Sequence, residues 1–214
     1  MNLALDLDGT LITCEPRQSA VLQAALVRCG ARVDLNHVWE LKRDGFSTEN
    51  ALVKLGLRPK LALRTAMDWR RMIEEPLWLG MDSVLPSVLD VLCKMHEAGA
   101  SLWLLTARSR REWVKSQLAR LGLIRKLDGV VVVPTHESAI TKTKVLRELE
   151  AAAFFGDTES DWCASIAADV PFYAVSTGQR SSKFLARVGV QPVHADLAAA
   201  LKAFLSVAGR RFGN

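Results

Sequence analysis

From Gly80 onward, short apolar runs with a strand's period alternate with segments of helical period, and this alternation limits the fold more than any other feature. The periodicity predicts helices over 86–98, 110–121, 144–150 and 159–167, with further helices at the C-terminal end. It predicts strands over 101–106, 129–133, 152–156 and 172–175. Strands separated by helices are free to lie parallel, because a parallel crossover needs about a dozen residues or more. The expected fold class is therefore α/β, a doubly wound, Rossmann-like parallel sheet. One more strand opens the chain: Leu3, Leu5 and Leu7 alternate with Ala4, Asp6 and Asp8. An extended backbone there would put the two acids on one side at the strand's end.

Between these parts the pattern is helical only, with helices expected over 18–29, 34–43, 47–55 and 59–74, the first and third ended by Gly30 and Gly56. The organisation that follows is a core built from residues 1–14 and 80–214, interrupted after its first strand by an α-helical cap over 15–79. A chain of 214 residues, half of them apolar, suits one such core plus a modest insertion.

No uncharged apolar run is long enough for a membrane helix, and the N-terminus enters a strand without a signal-peptide pattern, so a soluble, cytoplasmic protein is expected. Cys14, Cys29, Cys93 and Cys163 form no CxxC pair, which argues against zinc and against a disulfide framework; reduced, mostly buried thiols are expected. The net charge of +5 is spread along the chain and reads as a solvated surface rather than a nucleic-acid footprint. The four histidines have no metal-ligand spacing, and Trp39, Trp69 and Trp78 read as packing residues of the cap. A monomer and a homodimer are equally compatible with the sequence.

Open parallel sheets bind ligands beyond the carboxyl ends of their strands, and four such places hold polar groups. They are Asp6-Leu7-Asp8-Gly9-Thr10-Leu11, Leu104-Leu105-Thr106-Ala107-Arg108, Lys142 ahead of the Val145-Leu146 helix, and Gly156-Asp157-Thr158-Glu159-Ser160-Asp161. Phosphoryl transfer needs an in-line nucleophile, charge neutralisation and a proton donor, and a carboxylate can be the nucleophile by forming an aspartyl phosphate. Carboxylates facing a phosphate need a divalent cation between them. Mg2+ suits a site where Asp6, Asp157 and a backbone carbonyl supply oxygen. Thr106 with the N–H groups that follow, from Ala107 on, could hold phosphate oxygens, and Lys142, with Lys144 as the alternative, would add positive charge. Asp161, one helical turn beyond Asp157, could orient the metal's water shell. Plainer readings stand beside these. Asp8-Gly9 is also a turn signal, Thr106 could cap the next helix, and Thr158 with Asp161 has capping-box spacing.

In order and spacing, the four places resemble the motifs of the haloacid dehalogenase-like hydrolases, and the likeness extends to Val175-Ser176-Thr177-Gly178. The resemblance implies that Asp6 attacks phosphorus, and that Asp8 offers its carbonyl to the metal. It implies too that the Asp8 side chain protonates the leaving alcohol and then deprotonates water. It favours Lys142 over Lys144, because the family's lysine often sits three residues before the helix's apolar pair. Thr10 and Asp161 take supporting places. The helical insertion looks most like that of the phosphoglycolate phosphatase type, in which the loop resembling Lys42, Arg43 and Asp44 around Gly45 dips toward the phosphate site and helps select the leaving group. Solvated charge is the plainer account of Lys42 and Arg43. The implied activity is Mg2+-dependent hydrolysis of a small phosphorylated metabolite through a phospho-aspartate on Asp6. The same residues would also serve a phosphomutase, or a catalytically silent metal- and phosphate-binding regulator. A dehalogenase would have no use for the acid at Asp8, and a phospho-accepting receiver would need no lid.

Overall fold

A computed structural model describes residues 1–212, with side-chain surroundings through residue 207. Positions 213 and 214, the end of the expected core range, lie outside the described residues. Six strands form one sheet: β1 (Asn2–Leu5), β2 (Ser101–Ala107), β3 (Gly129–Val133), β4 (Ala153–Gly156), β5 (Phe172–Val175) and β6 (Val193–His194). Their spatial order is β3-β2-β1-β4-β5-β6 and every neighbouring pair is parallel. β6 was not expected from the sequence, since two residues carry no period. The strand order runs outward in opposite directions from β1, so the crevice at the carboxyl ends of β1 and β4 is the topological switch point where such sheets bind ligands.

Five helices follow β1: α1 (Glu15–Arg28), α2 (Leu35–Arg43), α3 (Thr48–Lys54), α4 (Pro59–Met72) and α5 (Pro76–Leu79). Asp34 and Ser47 cap α2 and α3 with their side chains, and Pro59 opens α4 at a position where its missing N–H costs nothing. These helices bury Leu22, Leu26, Val38, Leu41, Leu52 and Ala62 among themselves. Trp39 is buried, while Trp69 and Trp78 pack half-buried around Val21, Ala25 and Met72. α1 begins at Glu15 rather than at residue 18, because Pro16 suits a first turn, and the short α5 had no periodic signal.

The remaining helices are α6 (Val88–Glu97), α7 (Arg111–Arg120), α8 (Ser138–Glu148), α9 (Glu159–Ala168), α10 (Ser182–Arg187) and α11 (Leu197–Phe212). The two-residue period of the strands decides which helices cover which face. Leu3, Leu5, Leu102, Leu104 and Phe155 point into a core closed by α6, α7 and α11. Ala4, Leu105 and Phe154 point the other way, onto α8 and α9. α8 starts at Ser138, six residues before the expected 144, because exposed Ile140 broke the apolar period there. Lys142 therefore lies inside the helix rather than ahead of it. Among the cysteines only Cys14 is buried, Cys163 is exposed and all four are free, so the expectation of mostly buried thiols is corrected. Among the described residues no helix is long and apolar enough to cross a membrane.

Candidate active site

Extended backbone continues one residue past β1, where the Asp6 N–H donates to the Phe155 carbonyl at 2.9 Å. The period puts Asp6 on the face of Ala4, toward α8 and α9. There Lys142 Nζ of α8 donates to Asp6 Oδ1 at 2.7 Å and to Asp161 Oδ1 of α9 at 2.6 Å. Asp157, the first residue after β4, completes the group: Asp6, Asp157 and Asp161 offer carboxylate oxygens that all lie within 4.8 Å of one another. All three acids and Lys142 are buried. Of the two lysines weighed from the sequence, Lys144 is exposed.

Three buried carboxylates against one ammonium leave a surplus of negative charge. Burial pushes Asp6 up to about 7 despite the pull of Lys142. Burial, and then the neighbouring Asp6 and Asp161, raise Asp157 well above the ordinary carboxylate range. Lys142 is shifted upward because Asp161 and Asp6 together outweigh its own desolvation. Asp157 Oδ1 is buried with no hydrogen-bond partner, a condition that costs about 1–3 kcal/mol if nothing else satisfies it. An all-oxygen, electron-rich donor set with an orphaned carboxylate oxygen fits a hard divalent cation.

The carboxylate of Asp157 is clamped by backbone. A Cβ added at Gly178 would lie 2.0 Å from Asp157 Oδ2, and one added at Gly9, where φ is +78°, would lie 2.4 Å from it. The Gln179 N–H donates to the same oxygen at 2.5 Å, and Thr177 Oγ1 donates to the Gly9 carbonyl at 2.5 Å. This is what the Val175-Ser176-Thr177-Gly178 texture does: it holds the Gly178 and Gly9 backbones against the Asp157 carboxylate. Gly178→Ala is expected to destabilise the fold by about 1–3 kcal/mol in urea denaturation and to weaken divalent-cation binding. Unchanged cation affinity would mean that the Asp157 carboxylate is not held by this packing.

Asp8 goes elsewhere. The chain turns after Leu7, whose carbonyl accepts from the N–H groups of Thr10, Leu11 and Ile12. The turn reading and the chemical reading of Asp8-Gly9 thus coexist. The Asp8 carboxylate meets Arg17 Nη2 of α1, and Arg108 Nη2 lies 2.6 Å from Oδ1 and 2.5 Å from Oδ2. Arg17 in turn donates from Nε to Asp82 Oδ2 at 2.7 Å and from Nη1 to the Ile73 carbonyl at 3.0 Å. Gln117 donates to the same Asp82 oxygen at 2.7 Å, and burial pushes Asp82 up to about 6. The carboxylates of Asp6 and Asp8 therefore have separate partners, and the Asp8 side chain is outside the acid cluster.

Asp8 lines two cavities. One, of about 190 Å³, also touches Asp6, Thr106, Ala107, Lys142 and Asp161. The other, of about 470 Å³, reaches from Asp8 under the helical layer to Arg17, Trp69 and Arg108. A third cavity, of about 240 Å³ between Leu79, Trp113 and Arg120, holds no acid.

Several expectations are corrected here. Thr106 is buried at the end of β2 but caps nothing, since α7 begins without a side-chain cap. The N–H of Arg108 is spent on the Val133 carbonyl at 3.1 Å, so fewer backbone donors follow Thr106 than expected. Thr10 Oγ1 is buried without a partner. Lys42 is buried rather than solvated: its Nζ donates to Gln18 Oε1 and sits 4.0 Å above the Trp69 ring, and burial lowers it to about 7. Lys42 thus stands directly behind Gln18 and Trp69, which line the larger cavity. Arg43 Nη2 donates to the Ser176 carbonyl at 2.6 Å and ties the helical layer to the loop after β5. The sequence reading missed Arg17, Asp82 and Arg108. A signal existed for Arg17, because Arg17 and Gln18 occupy the inward stripe of α1 with Val21, Leu22, Ala25 and Leu26.

The family and the fold both have counterparts among known proteins. A family described as haloacid dehalogenase-like hydrolase matches residues 2–169. A haloacid dehalogenase-like family hydrolase from Streptococcus pneumoniae superposes with a TM-score of 0.76 at 16% identity, covering 95% of this chain and 97% of its own. A predicted phosphatase from Clostridium acetobutylicum gives 0.74 at 18% identity, with 96% and 98% covered. A candidate phosphoglycolate phosphatase from Lactobacillus delbrueckii subsp. bulgaricus gives 0.71 at 16% identity, with 96% and 97% covered. Among curated proteins no sequence matches.

Proposed function

We propose that this chain, which belongs to the haloacid dehalogenase-like hydrolase family, is a Mg2+-dependent phosphatase that hydrolyses a small phosphomonoester through an aspartyl phosphate on Asp6. The observation that carries the reading is the convergence, at the switch point of the sheet, of Asp6, Asp157 and Asp161, with Lys142 bonded to Asp6 and Asp161 and with Asp8 lining the cavity that Asp6 and Asp161 also line. Asp6 would attack phosphorus while the bond to the leaving alcohol breaks and Asp8 gives that oxygen a proton. Water would then attack the phospho-aspartate, Asp8 would take the water's proton, and the Asp6–phosphorus bond would break to release phosphate. Lys142 would neutralise phosphate oxygens beside Asp6, and the Thr106 hydroxyl would donate to one of them.

Asp6, Asp157 and the Asp8 carbonyl would hold the cation, with Asp161 positioning it, and bound Mg2+ would supply charge neutralisation for the phosphoryl oxygens. The buried side chains keep bulk water from the phosphate, and the helical layer over the second cavity would admit the leaving group.

The test is free phosphate release from an aryl phosphate by purified protein with Mg2+ and after EDTA. Turnover with Mg2+, lost by about 100-fold or more in EDTA and restored on adding the metal back, is the expected result. Full turnover in EDTA would remove the metal from the mechanism, and a phosphorylated product in place of free phosphate would indicate a mutase.

A further inference from the structure

Asp8 is tied, through Arg17, to the segment between α5 and α6. That segment is pinned to the chain just before α1: the Thr13 N–H donates to the Ser83 carbonyl at 2.8 Å, and the Ser83 N–H donates to Thr13 Oγ1 at 3.0 Å. Asp82, the neighbour of Ser83, is also fixed from α7. Gln117 Nε2 donates to its Oδ2 at 2.7 Å, and Arg120 Nη2 donates to its carbonyl at 2.9 Å. Gln117 and Arg120 stand three positions apart in sequence, so one face of α7 makes both bonds. The Asp82 side chain is wholly buried and accepts Arg17 Nε on the same Oδ2 at 2.7 Å.

The two arginines on Asp8 differ in how firmly they are placed. Arg17 is bonded through all three nitrogens, Nε to Asp82, Nη1 to the Ile73 carbonyl and Nη2 to Asp8, so its planar fork has one orientation. Arg108 reaches Asp8 through Nη2, and its Nε is buried without a partner. Arg17 is therefore the fixed point, and Asp82 is the acid that fixes it. The charges of Asp8, Asp82, Arg17 and Arg108 cancel, so Asp82 adds no pull on a charged ligand; what it sets is direction. Burying it is not the least costly way to fill the space. Its Oδ1 has no hydrogen-bond partner, a cost that apolar side chains in place of both Arg17 and Asp82 would avoid.

We infer that Asp82 is a positioning residue for proton transfer: it holds the Arg17 guanidinium so that the Asp8 carboxyl keeps its one open side turned toward the leaving oxygen. This rests on the phosphatase reading above, in which Asp8 is the acid and the base. A carboxylate offers roughly four lone-pair sites, and the three guanidinium contacts on Asp8 leave about one for the proton that is exchanged. Asp8 shares the smaller cavity with Asp6, where the leaving oxygen would stand. Without the Asp82 carboxylate, Arg17 is free to turn and Asp8 turns with it. The nucleophile and the acid cluster are untouched by that change, because Lys142 holds Asp6 and Asp161 and the Gln179 N–H holds Asp157. The loss therefore falls on proton transfer to the leaving group.

The experiment measures kcat/KM with Mg2+ for 4-nitrophenyl, phenyl and propyl phosphate, whose leaving oxygens need a proton to an increasing degree. How the loss differs between esters does not depend on how much of a variant is folded, so a merely structural role leaves the three losses equal. Asp82→Asn is expected to lose about threefold or less on the nitrophenyl ester, about 10-fold on the phenyl ester and about 30-fold or more on propyl phosphate. Gln117→Leu removes a bond behind Asp82 and leaves the ion pair with Arg17 in place. It should show the same order with about a threefold loss on propyl phosphate, and it decides the matter if Asp82→Asn does not fold. Equal losses on the three esters, or no loss, overturn the inference and leave the phosphatase reading intact. Wild-type turnover of the nitrophenyl ester alone overturns it too, since no acid would then be aimed at the leaving oxygen. No phosphate release by wild type from any of the three overturns both.

Discussion

Asp6→Asn is expected to lower phosphate release by about 10⁴-fold or more while leaving the protein folded. The substitution keeps the shape of the side chain and removes the carboxylate that would attack phosphorus. It also takes one charge out of a buried cluster whose acids repel one another, where burial above all pushes Asp6 up to about 7. Lys142 keeps its second partner, Asp161, at 2.6 Å. The inactive variant should accordingly be at least as stable as wild type in EDTA, which separates loss of a nucleophile from loss of a fold. Acid quenching during turnover should trap phosphate on wild type and none on the variant. Turnover by Asp6→Asn at the wild-type rate would sink the nucleophile assignment.

The parts of the fold that could be read from the sequence are those whose periodicity is long and continuous. β3 and β5 have the expected bounds, and the alternation of strands with helices after Gly80 is the doubly wound sheet itself. What was not legible either lacks a period, as in β6 and α5, or has its period broken by an outward apolar residue, as in the first turn of α8. The same division holds at the site. Asp6, Thr106 and Asp157 could be located because each stands at or just beyond a strand's carboxyl end, where the topology gathers side chains. The arginines on Asp8 could not, because Arg17 lies in a different layer and Arg108 is two residues past an anticipated Thr. Only the closing of the helical layer onto the sheet brings them together. Lys42 shows the converse failure. Its position beside Arg43, Asp44 and Gly45 suggests solvated charge, yet the inward stripe of α2 also contains Val38, Trp39 and Leu41, and Lys42 is buried with them.

That burial gives the second large expected effect. Lys42 is lowered from 10.5 to about 7, with desolvation as the leading cause and Arg180 and Arg17 adding repulsion. Between those values the unfolded chain binds a proton at Lys42 that the folded chain does not, so the Lys42 contribution to stability must rise as pH rises from about 7 toward 10.5. The folded protein sacrifices about 4 kcal/mol at pH 7 to keep this amine inside, and recovers about 2 kcal/mol of it by pH 9. The buried Asp157 carboxyl and the buried Cys14 thiol, both pushed well above their usual values, work in the opposite direction, and comparison with a Lys42 variant cancels both. Lys42→Met keeps the length and the contact with Trp69 while removing the titrating group, at the cost of the hydrogen bond to Gln18 and the cation–π contact. The variant should be more stable than wild type by about 2 kcal/mol at pH 7, and the gap should close by pH 9. Urea denaturation at pH 7, 8 and 9 reads this directly. Parallel pH profiles for the two proteins would show that the amine is solvated in solution and that the helical layer is not closed over it.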